Sequence, residues 1–170
     1  MGVRYWAFRD LNFEHEGYYP PDIYRALWNF VSDLNYGILE WRYAHGYYEG
    51  GANAAVGVWI ATKEIEKKYA LGGLELRWRL VWSPAPRPGS KGENPPMVSK
   101  GSVGLSMSGF VITDYLNNWT GSILLRPFFA IRDSYFYRRR RQVHIMSIRQ
   151  DAEKILKDLQ EFVGFLPTVR

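Results

Sequence analysis

The nine residues LELRWRLVW, Leu74 to Trp82, alternate without a break. Leu74, Leu76, Trp78, Leu80 and Trp82 fall on one side of an extended chain, while Glu75, Arg77 and Arg79 fall on the other. A period of two is the geometry of a β-strand, and large apolar groups on one side alone belong to a strand with one face on a core and the other toward water. Such a strand needs hydrogen-bonding neighbours and an apolar cover, so the rest of the chain has to supply both.

Neighbouring strands are legible on both sides of it. The opening VRYWAFRDLNFEHE places Val3, Tyr5, Ala7, Leu11 and Phe13 on one side and predicts a strand interrupted at Arg9. GILEWRYAHGYYEG is rich in aromatic residues and ends at Gly50-Gly51, a turn signal. ANAAVGVWIATKEI alternates Ala54, Val56, Val58 and Ile60 on the face expected to meet the core, which leaves Trp59 on the opposite face. In GSVGLSMSGFVITDY, Val103, Leu105, Met107, Val111 and Thr113 share a face. SPAPRPGSKGENPPM, Ser83 to Met97, holds five prolines and two glycines and predicts a surface loop within the domain. KEIEKKYALGG, Lys63 to Gly73, mixes both charge signs and predicts a solvated hairpin end with no chemistry of its own.

Two segments provide the cover. In PPDIYRALWNFVSDLNYG, the residues Ile23, Ala26, Leu27, Phe30, Val31 and Leu34 keep helical spacing, with prolines at the start and Gly37 at the end. Farther on, Ile145, Ile148, Ala152, Ile155, Leu159 and Val163 mark a long amphipathic helix ending near Gly164 and Pro167, with helix extending back toward Pro127. Strand, helix, about four antiparallel strands and a long C-terminal helix describe one α+β domain spanning residues 1–170.

Several chemistries are excluded. Without cysteine there is no disulfide, thiolate metal site or cysteine nucleophile. His15, His45 and His144 are too scattered to propose a metal, and no phosphate loop, dinucleotide fingerprint or nucleophile elbow is present, so no cofactor is expected. No basic-then-apolar leader opens the chain and no apolar run nears the roughly 18 residues of a membrane span, so a soluble cytoplasmic protein is expected.

The net charge of +5 is local. Residues 126–150 hold seven arginines against Asp133 alone, a balance of +6, and the rest of the chain carries −1. Within that stretch YFYRRRRQVH, Tyr135 to His144, invites a nucleic-acid reading. Helical geometry weakens it: successive residues turn by about 100°, so Arg138 to Arg141 point in four directions and do not form one phosphate-gripping face. The frame of the downstream helix puts Arg141 near the middle of the apolar stripe. Three fates are open to it: solvation beyond the sheet, pairing with a carboxylate such as Asp114 or Glu40, or a place at a cavity mouth holding an anionic headgroup.

The segment TDYLNNWTGSILLRPFFAIRDSYFYRRR, Thr113 to Arg140, together with the helix that follows, resembles a group of archaeal START-like (polyketide-cyclase-like) proteins of unassigned function. The matching positions are Asp114, Tyr115, Trp119, Arg126, Phe128, Asp133, Tyr137 and Arg138. The likeness covers mainly residues 113–163, and the remainder is similar in element order. It implies a helix-grip fold, in which a curved antiparallel sheet wraps a long C-terminal helix around an apolar cavity, and it brings no catalytic motif.

On that basis the expected function is binding of a hydrophobic or amphipathic, lipid-like small molecule between sheet and C-terminal helix. Val58, Leu76, Trp78, Leu80, Leu105 and Met107 would line the cavity, with Arg141 at its mouth, although the same apolar list describes a solid core. Two alternatives stand beside it: a nucleic-acid-associated protein using Arg138 to Arg141, and a cyclase-like or hydrolase-like enzyme using His45 or Glu40. The sequence leaves the oligomeric state open.

Overall fold

In the computed structural model, residues 2–18, 20–47, 51–87, 95–116, 118 and 120–165 are described. Five strands form a single antiparallel sheet: β1 (Val3–Tyr18), β2 (Gly37–Tyr47), β3 (Asn53–Glu66), β4 (Ala70–Pro86) and β5 (Met97–Thr113). Their spatial order is β1-β5-β4-β3-β2. The strands from β2 to β5 follow one another as a meander, while β1 pairs with the far edge of β5. Helix α1 (Pro20–Asp33) therefore carries the chain from one edge of the sheet to the other. Helix α2 (Arg126–Ile131), a π-helical turn (Arg132–Phe136) and helix α3 (Arg138–Gly164) complete an α+β domain.

One hydrophobic cluster holds the layers together. Ile23, Leu27 and Val31 of α1 and Ile148, Ile155 and Leu159 of α3 pack on Leu74, Leu76, Met107 and Val111 of the sheet. These positions fall at the helical and two-residue spacings read from the sequence, and α1 starts on Pro20 and Pro21 as expected. Its end is made by Asn35, at φ 61°, rather than by Gly37. Asparagine tolerates the left-handed conformation, which removes the need for glycine there. The predicted interruption of β1 appears as register shifts between Trp6 and Leu11, with Asp10 at φ 55°.

Three expectations are corrected. First, β3 presents Ala55, Gly57, Trp59 and Ala61 to the core, and Val56, Val58 and Ile60 to the outer face. Trp59 pairs with Leu76 and is fully buried; Val58 pairs with Arg77, on the side away from the helices. Small residues occupy the inner face because neighbouring rings fill it: a side-chain carbon on Gly57 would stand 2.3 Å from the Trp78 ring.

Second, Ser83 to Pro86 and Met97 are strand, paired across β4 and β5 with Pro84 opposite Ser99 and Pro86 opposite Met97. Arg87 donates its backbone N–H to Pro96 O, so by alternation positions 84 and 86 turn their nitrogens the other way. There β3 has already ended at the Asn53–Trp82 pair, and an open edge tolerates proline. Residues 88–94 of the expected loop lie outside the described residues, as do Tyr48 to Gly50, Trp119 and Pro167.

Third, the β3–β4 hairpin end is exposed at Glu64, Lys67 and Lys68 as expected, but its carboxylates are engaged by groups outside the hairpin. Tyr115 donates to Glu64 Oε1 at 2.6 Å, and Tyr137 donates to Glu66 Oε2 at 2.7 Å. Lys63 pairs with Asp151 on α3, which also accepts from Tyr36 at 2.9 Å.

Candidate functional site

The inner face of the sheet is not covered evenly. Beneath α3 it is solid: Leu76 and Met107 are fully buried, and the space enclosed by Trp78, Leu80, Leu105, Ile23, Leu27 and Leu159 is about 10 Å³. That is room for about one water molecule. Beside it, where the first turns of α1 stand off β2, β3 and β4, an open groove of about 410 Å³ runs along the sheet. From α1 come Pro21, Tyr24 and Arg25; from β2, Glu40 and Tyr43; from β3, Ala55; from β4, Trp78, Leu80 and Trp82.

A β-bulge builds the polar end. Glu40 pairs with Trp59 and Arg42 pairs with Val58, so Trp41 is the extra residue on β2. The bulge reverses the alternation: Glu40 points inward before it, and Tyr43 and His45 point inward after it. Glu40 and Tyr43 thus share the groove, while Trp41 joins Leu39, Val58 and Ile60 on the outer face.

Glu40 Oε1 accepts from Trp59 Nε1 at 3.1 Å and from Tyr24 Oη at 3.3 Å. Burial, and next the Glu40 charge, push the Tyr24 phenol up to about 12, so it remains a donor at neutral pH. Tyr24 stands edge-on to Trp59 and Trp78, with ring centroids 5.0 and 4.9 Å apart. Tyr43 lies 5.9 Å from Trp78. The buried Trp78 Nε1 has no hydrogen-bond partner among the described residues, an orphan donor in the groove wall.

Of the predicted lining residues, Trp78 and Leu80 reach the groove, Leu105 borders only the small enclosed space, and Leu76 and Met107 are core. Val58 lies on the outer face with Leu39, Trp41 and Ile60 and reaches neither space. Sequence reasoning missed Tyr24 as a lining residue, while Glu40, named for the enzyme alternative, is the groove's carboxylate among the described residues. The bulge at Trp41 has no spacing signal, so the union of Glu40 with Tyr43 was not readable. His45, the enzyme candidate, sits exposed against Trp82 at 5.8 Å, and its β3 partner Ala55 is four residues from that of Glu40, roughly 13 Å along the strand. The two do not form an acid–base pair.

Arg141 goes elsewhere. The π-helical turn, closed by the Tyr137 N–H to Arg132 O bond, widens the helical path and turns Asp133 inward, eight residues before Arg141. Arg141 Nη1 lies 2.5 Å from Asp133 Oδ2, with side chains 14% and 4% exposed, and its guanidinium stacks 4.1 Å over the Tyr5 ring. Tyr5 donates to the same carboxylate oxygen. Burial and the Asp133 charge push the Tyr5 phenol up to about 12.

Pairing with a carboxylate is thus the fate of Arg141, although the partner is neither Asp114 nor Glu40. Asp114, also fully buried, accepts from Thr120 N and Oγ1 at 2.7 and 2.8 Å. Arg138, Arg139 and Arg140 stay exposed, with Arg140 3.7 Å from Glu66. The arginine run is therefore split between a buried pair and a solvated surface.

No model of a known protein family matches the chain, and neither does any curated protein. Among the described residues, no three histidine, aspartate or glutamate side chains converge as a metal site, and no helix is long and apolar enough to cross a membrane.

Proposed function

We propose that the chain is a START-like, helix-grip protein that binds a hydrophobic or amphipathic small molecule, and that the molecule occupies the groove between α1 and strands β2 to β4. The element order supports the fold reading: a strand, a helix spanning the sheet, a four-strand meander and a long C-terminal helix on the same core. One observation carries the functional reading. The groove offers about 410 Å³ lined by Tyr24, Tyr43, Trp78, Leu80 and Trp82, within the size range of small-molecule sites and with their mainly apolar, few-polar-group character. The space under α3, at about 10 Å³, admits no such ligand.

Native mass spectrometry of chain purified without detergent tests this, before and after addition of a neutral amphiphile. A one-to-one adduct that disappears in the Tyr43→Glu variant is the expected result. A chain that stays free of adduct under both conditions contradicts it.

A further inference from the structure

We infer that the groove selects an amphipathic ammonium ion, a protonated or quaternary amine carrying one apolar chain; this rests on the groove being the binding site. Among the described residues Glu40 is the only carboxylate lining it, and both protein donors reach the same oxygen, Oε1. Its Oε2 has no protein donor among the described residues, and Glu40 is exposed, so an anionic acceptor is open to a ligand. Among the described residues the one cation on the wall is Arg25, whose side chain is 80% exposed and lies 3.8 Å from Asp22 on the same helix, so water screens its charge.

The groups around the carboxylate favour the same ligand. Tyr24, Tyr43 and Trp78 gather there, and aromatic rings attract cations through the negative potential of their faces. An anionic head would be repelled by Glu40, with only the solvent-screened Arg25 to offset it. A neutral hydroxyl head can give Glu40 one hydrogen bond but leaves its charge unneutralised.

Strand register orders the rest. From the Glu40–Trp59 pair the inner-face ladder runs through Tyr43–Gly57–Trp78, then Ala55–Leu80, then Asn53–Trp82. Trp59 to Asn53 is six residues, about 20 Å of extended strand. Along the sheet beyond Tyr43 the lining is Ala55, Leu80 and Trp82, with no charged group among the described residues. One inward-facing carboxylate at one end of the sheet wall, followed by an apolar run, is the pattern of a ligand with one cationic head and one chain.

Isothermal titration calorimetry with octylammonium, octan-1-ol and octanoate separates this inference from the reading beneath it. Octylammonium should bind one per chain, at least about tenfold more tightly than octanol, with octanoate weakest. Glu40→Gln, which keeps an oxygen to accept from Tyr24 and Trp59, should abolish the preference, so that octylammonium binds no more tightly than octanol. Equal binding of octanol and octylammonium, or tighter binding of octanoate, overturns the charge selection while the groove stands as a site. Binding of none of the three overturns both.

Discussion

The ring of Trp78 covers Gly57, with Cζ2 only 2.3 Å from where a side-chain carbon at residue 57 would stand. The contact explains why the inner face of β3 is built from small residues and why Trp78 forms part of the groove wall rather than being lifted into it. In Gly57→Ala the indole has to move, at an overpacking cost of about 1–3 kcal/mol. Urea unfolding should show that loss, and near-ultraviolet circular dichroism should show a changed tryptophan signal. Wild-type stability in this variant would contradict the packing described.

Arg141 and Asp133 make a buried pair at the opposite end of the sheet. Removing one member strands the other's charge, so Arg141→Ala should cost about 3–5 kcal/mol. The double variant Arg141→Met with Asp133→Leu should recover most of that loss, because an apolar pair needs no desolvation. A double variant no more stable than Arg141→Ala would show that the arginine acts through something other than its charge partner.

Several phenols hold their protons beyond the ordinary range. Burial pushes Tyr5, Tyr24 and Tyr69 up to about 12, and Tyr36 and Tyr137 are raised too, by burial and by the Asp151 and Glu66 carboxylates they donate to. Between about pH 10, where an unfolded tyrosine ionises, and about pH 12, the folded chain binds more protons than the unfolded one. This stabilisation is complete below about pH 10 and is lost as the pH rises toward 12. Urea midpoints should be level from pH 8 to 9 and fall steeply from 10 to 11, with a shallower fall in Tyr5→Phe. A midpoint unchanged to pH 11 would contradict the buried phenol bonds.

The two faces of the sheet should respond unequally. Val58, half-buried on the outer face, should tolerate Val58→Thr within about 1 kcal/mol, whereas Leu76→Ala in the core should cost about 2–5 kcal/mol. Comparable losses from both would place Val58 on the core side after all.

The α+β class, the stripes of both helices and the faces of β4 and β5 were legible because each rests on a simple period: 3.6 for Ile23 to Val31, two for Leu74 to Leu80. β3 also alternates, but with bulky residues on one side and Ala55, Gly57 and Ala61 on the other, bulk pointed to the wrong face. Packing decided there, since Trp78 needs the space above Gly57. The proline-rich segment misled in a similar way, because proline excludes only the strand positions whose N–H is needed, and β4 has an open edge beyond Trp82. For Arg141 the helical frame gave the inward direction and the π-helical turn supplied the partner, which no spacing rule anticipates. The groove depended on the bulge at Trp41 and on how far α1 stands from β2, both tertiary features.

Occupancy of the groove is tested most directly by fluorescence titration with N-phenyl-1-naphthylamine, an uncharged probe that brightens in apolar surroundings. Tyr43 lines the groove, while Tyr47, on the same strand and face, does not; both are exposed, so a charge at either position leaves the core intact. Saturable one-to-one binding to the wild type and to Tyr47→Glu, lost in Tyr43→Glu, is the predicted result. No saturable binding to the wild type, or equal binding to Tyr43→Glu, would contradict the account.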